Sequence, residues 1–197
     1  MKTTLMKSTL MNNSQLPKYE NADSPKQAIE LADRADFIDA MSRVANSVNV
    51  VTTNGTGGQV GVTVSAATSV TAEPPTILVC IHELSKAVTA IKENGVFCLN
   101  VLESEQQAFS QLFAGQALEE PAERFSAEQW TQLKTGSPVL KDGLAVFDCR
   151  VDTIHKEGTH YIFIGQVLAA KKGDGLPLVY SQRAYAKPDW GDTKTEK

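Results

Sequence analysis

From residue 48 onward the chain alternates β-branched stretches with turn residues, and its few helical segments cannot link those stretches in parallel. Residues 48–53 read Val-Asn-Val-Val-Thr-Thr and stop at Asn54-Gly55-Thr56-Gly57-Gly58, a strong turn cluster. Residues 59–71 continue as one long extended stretch rich in Val and Thr. Pro74-Pro75 breaks it, and residues 76–81 form a further buried-looking strand. Residues 96–101 add another. Between 145 and 155 the alternation is regular: Ala145, Phe147, Cys149 and Val151 fall on one face, Asp148, Arg150 and Asp152 on the other. A Lys-Glu-Gly-Thr loop joins this run to residues 160–170, which predicts a long hairpin, and residues 178–180 can supply a last strand.

Helical spacing is rarer. Phe37, Ile38, Met41, Val44, Ala45 and Val48 recur at helical intervals, predicting one amphipathic helix from residue 31. Residues 86–93 read as a short helix. Ser104-Glu105-Gln106-Gln107 has capping-box spacing and is expected to open a helix running through Phe113, with Ala114-Gly115 ending it. Residues 116–141, with Pro121, Gly136 and Pro138, read as irregular connection. Six or more strands with two or three helices, not in strict β-α-β order, favour a mainly β fold: an antiparallel β-barrel with a few helices rather than a doubly wound sheet.

A chain of 197 residues suits one ordinary domain. Residues 1–30 are polar and are expected to be a flexible arm. Residues 31–186 form the folded domain, and 187–197 a polar tail. The net charge of −4 argues against a general nucleic-acid or anionic-membrane binder. No window approaches ~18 uninterrupted apolar residues, so no transmembrane helix is expected. The N-terminal residues lack the continuous apolar core of a signal peptide, and a cytoplasmic location is the expectation. Cys80, Cys98 and Cys149 are scattered in apolar runs, which reads as buried small hydrophobes in a reducing compartment. His82, His155 and His160 have no ligand-like spacing, so no metal site is expected.

Three stretches, in order, carry a resemblance. The first is Val48-Asn49-Val50-Val51-Thr52-Thr53 followed by Gly61-Val62-Thr63-Val64-Ser65-Ala66-Ala67-Thr68-Ser69-Val70-Thr71. The second is Pro74-Pro75 leading to Leu78-Val79-Cys80-Ile81, then Ser85-Lys86. The third is Gly158-Thr159-His160-Tyr161-Ile162-Phe163-Ile164-Gly165-Gln166-Val167, with Pro177-Leu178-Val179-Tyr180 beyond it. Over residues 37–185 the chain resembles the flavin reductase family with a split antiparallel β-barrel. Within that family it is most similar to the reductase component of two-component 4-hydroxyphenylacetate 3-monooxygenase.

The resemblance implies a homodimer that binds FMN or FAD, takes hydride from NADH or NADPH, and passes reduced flavin to a separate flavin-dependent oxygenase. It implies flavin contacts at Thr63, Val64, Ser65, Ala66, Cys80, Ile81, His82, Ser85, Lys86 and Phe113. It places the nicotinamide near His160, Tyr180 and Arg183. No catalytic acid, base or metal is needed, because the flavin carries the redox chemistry.

The residues suit those roles. Small side chains at 61–67 let the backbone approach a flat ring, although a Thr/Val-rich strand on a solvated face explains the same pattern. Ser85 and Lys86 at a helix start can meet a phosphate, or form an ordinary N-cap beside a surface lysine. Relatives often carry a hydroxyl two residues after this serine, and this chain has Ala87. His160 is either a nicotinamide contact or a polar residue closing the hairpin, and Phe113 either flanks the flavin or belongs to the core, the core reading being favoured. A fixed flavin that reduces ferric complexes or quinones, and a non-catalytic flavin- or haem-binding barrel, are the alternatives.

Overall fold

The computed structural model describes residues 31–115 and 123–189. The expected arm at 1–30, and the tail beyond residue 189, lie outside the described residues. Asp33 caps the first helix, α1 (Arg34–Ser42): its carboxylate accepts from the Ala35 and Asp36 backbone N–H groups at 2.7 and 3.4 Å. The helix is shorter than its spacing predicts, and none of its residues is buried. Phe37, Ile38 and Met41 face outward, so the amphipathic pattern is present but does not pack on the barrel. Val48 belongs instead to the strand entry, where it is buried.

The strands follow in order: β1 (Asn46–Ser47), β2 (Asn49–Thr53), β3 (Val60–Val64), β4 (Ala67–Ala72) and β5 (Pro75–His82). Helix α2 (Lys86–Asn94) leads to β6 (Val96–Val101), and α3 (Gln107–Phe113) precedes the short β7 (Trp130–Gln132) and β8 (Pro138–Leu140). The long hairpin β9 (Ala145–Glu157) and β10 (His160–Lys172) is followed by β11 (Val179–Ser181) and β12 (Ala184–Ala186).

One seven-stranded antiparallel sheet, in the order β3-β2-β6-β9-β10-β5-β4, organises the domain. Its two edge strands, β3 and β4, are consecutive in the chain and separated only by Ser65 and Ala66. Opposite edges can be neighbours in sequence only if the twisted sheet curls until they nearly meet, which makes an incompletely closed barrel. The single extended stretch expected at 59–71 is therefore two strands. Val60–Val64 pairs with β2, Ala67–Ala72 with β5, and the Cys80 N–H holds the bend by donating to the Ala66 carbonyl at 2.9 Å.

Strand β2 is buried along its whole length because both faces are covered. Val51 enters the main core with Ile81, Phe97 and Phe163, against which α2 lays Val88 and Ile91. Val50 enters a second core with Leu102, Phe113, Trp130 and Leu140. The connection expected to be irregular supplies the β7–β8 hairpin to this second layer. It also covers Asp148, whose carboxylate is fully buried because the chain before β8 folds over it. Thr135 donates to it from both its backbone N–H and its hydroxyl.

The cap of α3 also differs. Ser104 does not cap it; the helix begins at Gln107, and Gln106 reaches back to accept from the Glu103 N–H at 2.9 Å. At the C-terminus, β11 pairs with β1 and turns tightly into β12 through Gln182 and Arg183, both in the left-handed region with φ of 52° and 61°.

Candidate active site

The bend between the barrel's two edges opens beside the end of β5. Here the sheet brings together residues far apart in sequence around a cavity of about 230 Å³. Thr63, Val64, Ser65 and Ala66 form one wall, Cys80, Ile81 and His82 a second, with Ser85 and His160 completing it. Ser65 and Ala66 are exposed at the bend, and β3 has no strand partner on its outer edge among the described residues. Backbone donors and acceptors are thus available to a ligand along that wall. The Thr63 hydroxyl is already committed, donating to the Ser110 carbonyl at 2.7 Å.

Ser85 caps α2, accepting from the Ala87 N–H at 3.3 Å, and Lys86 is exposed in the first turn. Ala87 turns inward and is buried in the main core, so a hydroxyl at this position would face packing rather than the cavity. His82 and His160 stand opposite one another in the β5–β10 register, their rings edge to face at 5.1 Å. His82 Nδ1 accepts from the Leu84 N–H at 3.2 Å, which leaves the proton of the neutral ring on Nε2. Beside them Lys156 meets Glu83 at 2.7 Å. Its hydrogen bond and charge hold the Glu83 carboxyl below the usual range, with smaller help from the two imidazoles.

A second cavity, of about 240 Å³, adjoins the first along Thr63, Val64 and Ser65. Tyr180 lines it together with Ser110 and Tyr185. Three expected site residues line neither cavity, the first being Lys86, exposed one residue beyond Ser85. Phe113 is buried in the second core, its ring tilted against Phe125 and seated where a Gly61 side chain would be. The room at Gly61 thus serves packing. Arg183 is exposed at the β11–β12 turn, 3.9 Å from Asp39 of α1, and lines neither cavity.

A sequence model described as a flavin reductase like domain matches residues 41–189. The chain belongs to the flavin reductase-like family. The chain is similar to the FMN reductase (NADH) RutF of Serratia proteamaculans, 42% identical over 83% of this chain and 93% of the relative. It is similar in structure to the flavin reductase PheA2, with a TM-score of 0.73 and 32% identity over 80% of this chain and 99% of that one. BorF, the flavin reductase component of a bacterial two-component tryptophan halogenase, aligns with a TM-score of 0.73 and 31% identity over the same shares of the two chains.

Sequence reasoning missed Ser110 and Tyr185 of this flavin reductase-like barrel. Ser110 looks like any polar residue of a short helix. Tyr185 alternates with two alanines in a strand too short to register as a pattern. No group of three or more His, Cys, Asp or Glu among the described residues is placed to hold a metal ion.

Burial raises all three cysteine thiols: that of Cys80 at the cavity, that of Cys98 well above its ordinary value, and that of Cys149 up to about 12 with help from the Asp148 charge. A raised thiol is neutral at pH 8 and a poor nucleophile. A thiol reagent at pH 8 should therefore modify Cys98 and Cys149 only after denaturation, with Cys80 the first to react in the folded protein. Rapid labelling of all three without denaturant would contradict the buried placement.

Proposed function

We propose that this chain is an NADH-dependent FMN reductase whose flavin lies against the Thr63–Ala66 wall. The observation that carries this reading is the first cavity, which gathers three sequence-distant stretches around an edge strand with free backbone groups. The fit is chemical as well as spatial: a flat polar ring edge finds backbone donors, and a phosphate finds the α2 N-terminus with Ser85 and Lys86. A flavin held there would supply the redox chemistry as the acceptor of hydride from NADH. The protein's part is positioning. His160, with His82 packed edge-on against it, would hydrogen-bond the nicotinamide amide or a dinucleotide phosphate, and Tyr180 would cover the ring from the adjoining cavity. Phe113 and Arg183 have no part in this reading.

The reduced flavin passes to a separate oxygenase, as the two-component system of BorF supports, and the motif order favours an aromatic-hydroxylating partner like that of 4-hydroxyphenylacetate 3-monooxygenase. The working unit is a homodimer in the cytoplasm. The exposed apolar face of α1, with Phe37 at 59% and Met41 at 46% of full exposure, is surface that a second copy would cover.

Steady-state NADH oxidation with riboflavin, FMN and FAD side by side is the test, with light scattering on the same preparation. Oxidation should require added or retained flavin, survive a chelator, and come from a species of twice the chain mass. Flavin-independent turnover would overturn the activity, and a fully active monomer the assembly. Flavin retained through gel filtration would make it a prosthetic group rather than a substrate.

A further inference from the structure

Tyr185 sits in the middle of β12, opposite Tyr180 in the register of the C-terminal hairpin, and the two rings meet edge to face at 5.3 Å. Its hydroxyl lies 2.8 Å from Ser110 Oγ on α3. Ser110 is completely buried, and the contact with Tyr185 satisfies its side-chain oxygen. The Ser110 carbonyl in turn accepts from the Thr63 hydroxyl. A continuous line of contacts, Tyr180 to Tyr185 to Ser110 to Thr63, thus ties the C-terminal hairpin through a helix to the edge strand that both cavities share.

The hairpin is also held by the two-residue pairing of β11 with β1, by contacts of its turn with the end of α1, by Leu178 just before β11, which accepts from the Val48 N–H and donates to the Leu102 carbonyl, and by Lys187 just after β12, which meets Glu105. Among the hairpin's described side chains, the Tyr185 hydroxyl is the one that bonds a wall residue of the second cavity. We infer that Tyr185 is a positioning residue for the dinucleotide: its hydroxyl sets the distance between the wall carrying Tyr180 and the wall carrying Thr63. This rests on the reading that Tyr180 covers the nicotinamide. The consequence is selective. Flavin binding, which uses the Thr63–Ala66 wall and the α2 N-terminus, does not depend on the bond, because Thr63 is tied to the Ser110 carbonyl rather than to its hydroxyl. Seating of NADH does.

Tyr185→Phe keeps the ring against Tyr180 and removes only the hydroxyl, and Ser110→Ala removes the same bond from the other side. Each should raise the KM for NADH roughly two- to tenfold, the worth of one hydrogen bond, with flavin affinity by fluorescence quenching unchanged. Because both substitutions break one bond, the double variant should be no worse than the poorer single one. A merely structural role would lower the melting temperature without moving the KM for NADH, and that result overturns the inference. So would equal losses for flavin and NADH, or additive effects in the double variant. If the unaltered protein itself fails to oxidise NADH with flavin, it is the reductase reading that falls, which the same assay reports separately.

Discussion

Lys86→Ala should weaken FMN binding by about 10- to 100-fold while leaving riboflavin affinity nearly unchanged, because riboflavin has no phosphate. One charge-assisted hydrogen bond contributes roughly 1.5–3 kcal/mol, which is that range of affinity. The placement explains why the effect should be selective. Lys86 is exposed in the first turn of α2, one residue from Ser85 in the cavity wall, where the helix N-terminus already favours an anion. Its exposure draws the expected loss toward the lower end and makes it shrink as salt rises. Equilibrium titration of both flavins at two ionic strengths is the measurement. Equal losses for FMN and riboflavin would remove the lysine from phosphate recognition.

Phe97→Ala should cost about 3–5 kcal/mol of stability, the usual loss for truncating a buried aromatic ring. Phe97 is fully buried, and its ring lies against the bare backbone of Gly165, where an added Cβ would come within 2.5 Å of it. The two positions are complementary, so Gly165→Ala should also destabilise, by about 1–3 kcal/mol, because the ring has no room to yield. At ~2–4 °C per kcal/mol for a chain of this size, thermal unfolding should fall by roughly 6–20 °C for the first variant. A melting temperature within 2 °C of the parent would mean that the ring does not support the barrel.

Much of the candidate site came from the resemblance, carried by the order of three stretches. Local chemistry added only that Ser85 starts a helix and that His160 follows a Gly-Thr turn, and the structure puts both on the cavity. What local signals left open depends on distant partners. Asp148 alternates with apolar neighbours, and a segment more than ten positions earlier covers it. Phe113 fills the second core, the favoured of its two readings, and Tyr185, which carried no signal, bonds the cavity wall.

The strand-rich character, the turn at residues 54–58, the long β9–β10 hairpin and the start of α2 were determined by the sequence alone. Side-chain alternation, turn chemistry and capping act over a few residues and need no knowledge of the rest of the chain. Tertiary structure alone decided that residues 59–71 break at Ser65–Ala66, that the break lies between the two edges of one sheet, and that β2 is buried on both faces. Among the described residues, the apolar stripe of α1 is left exposed. A strand's own residues specify which faces are apolar, but which strand pairs at its edge, and where the sheet's curl brings its last edge, depend on twist and packing summed over all seven strands.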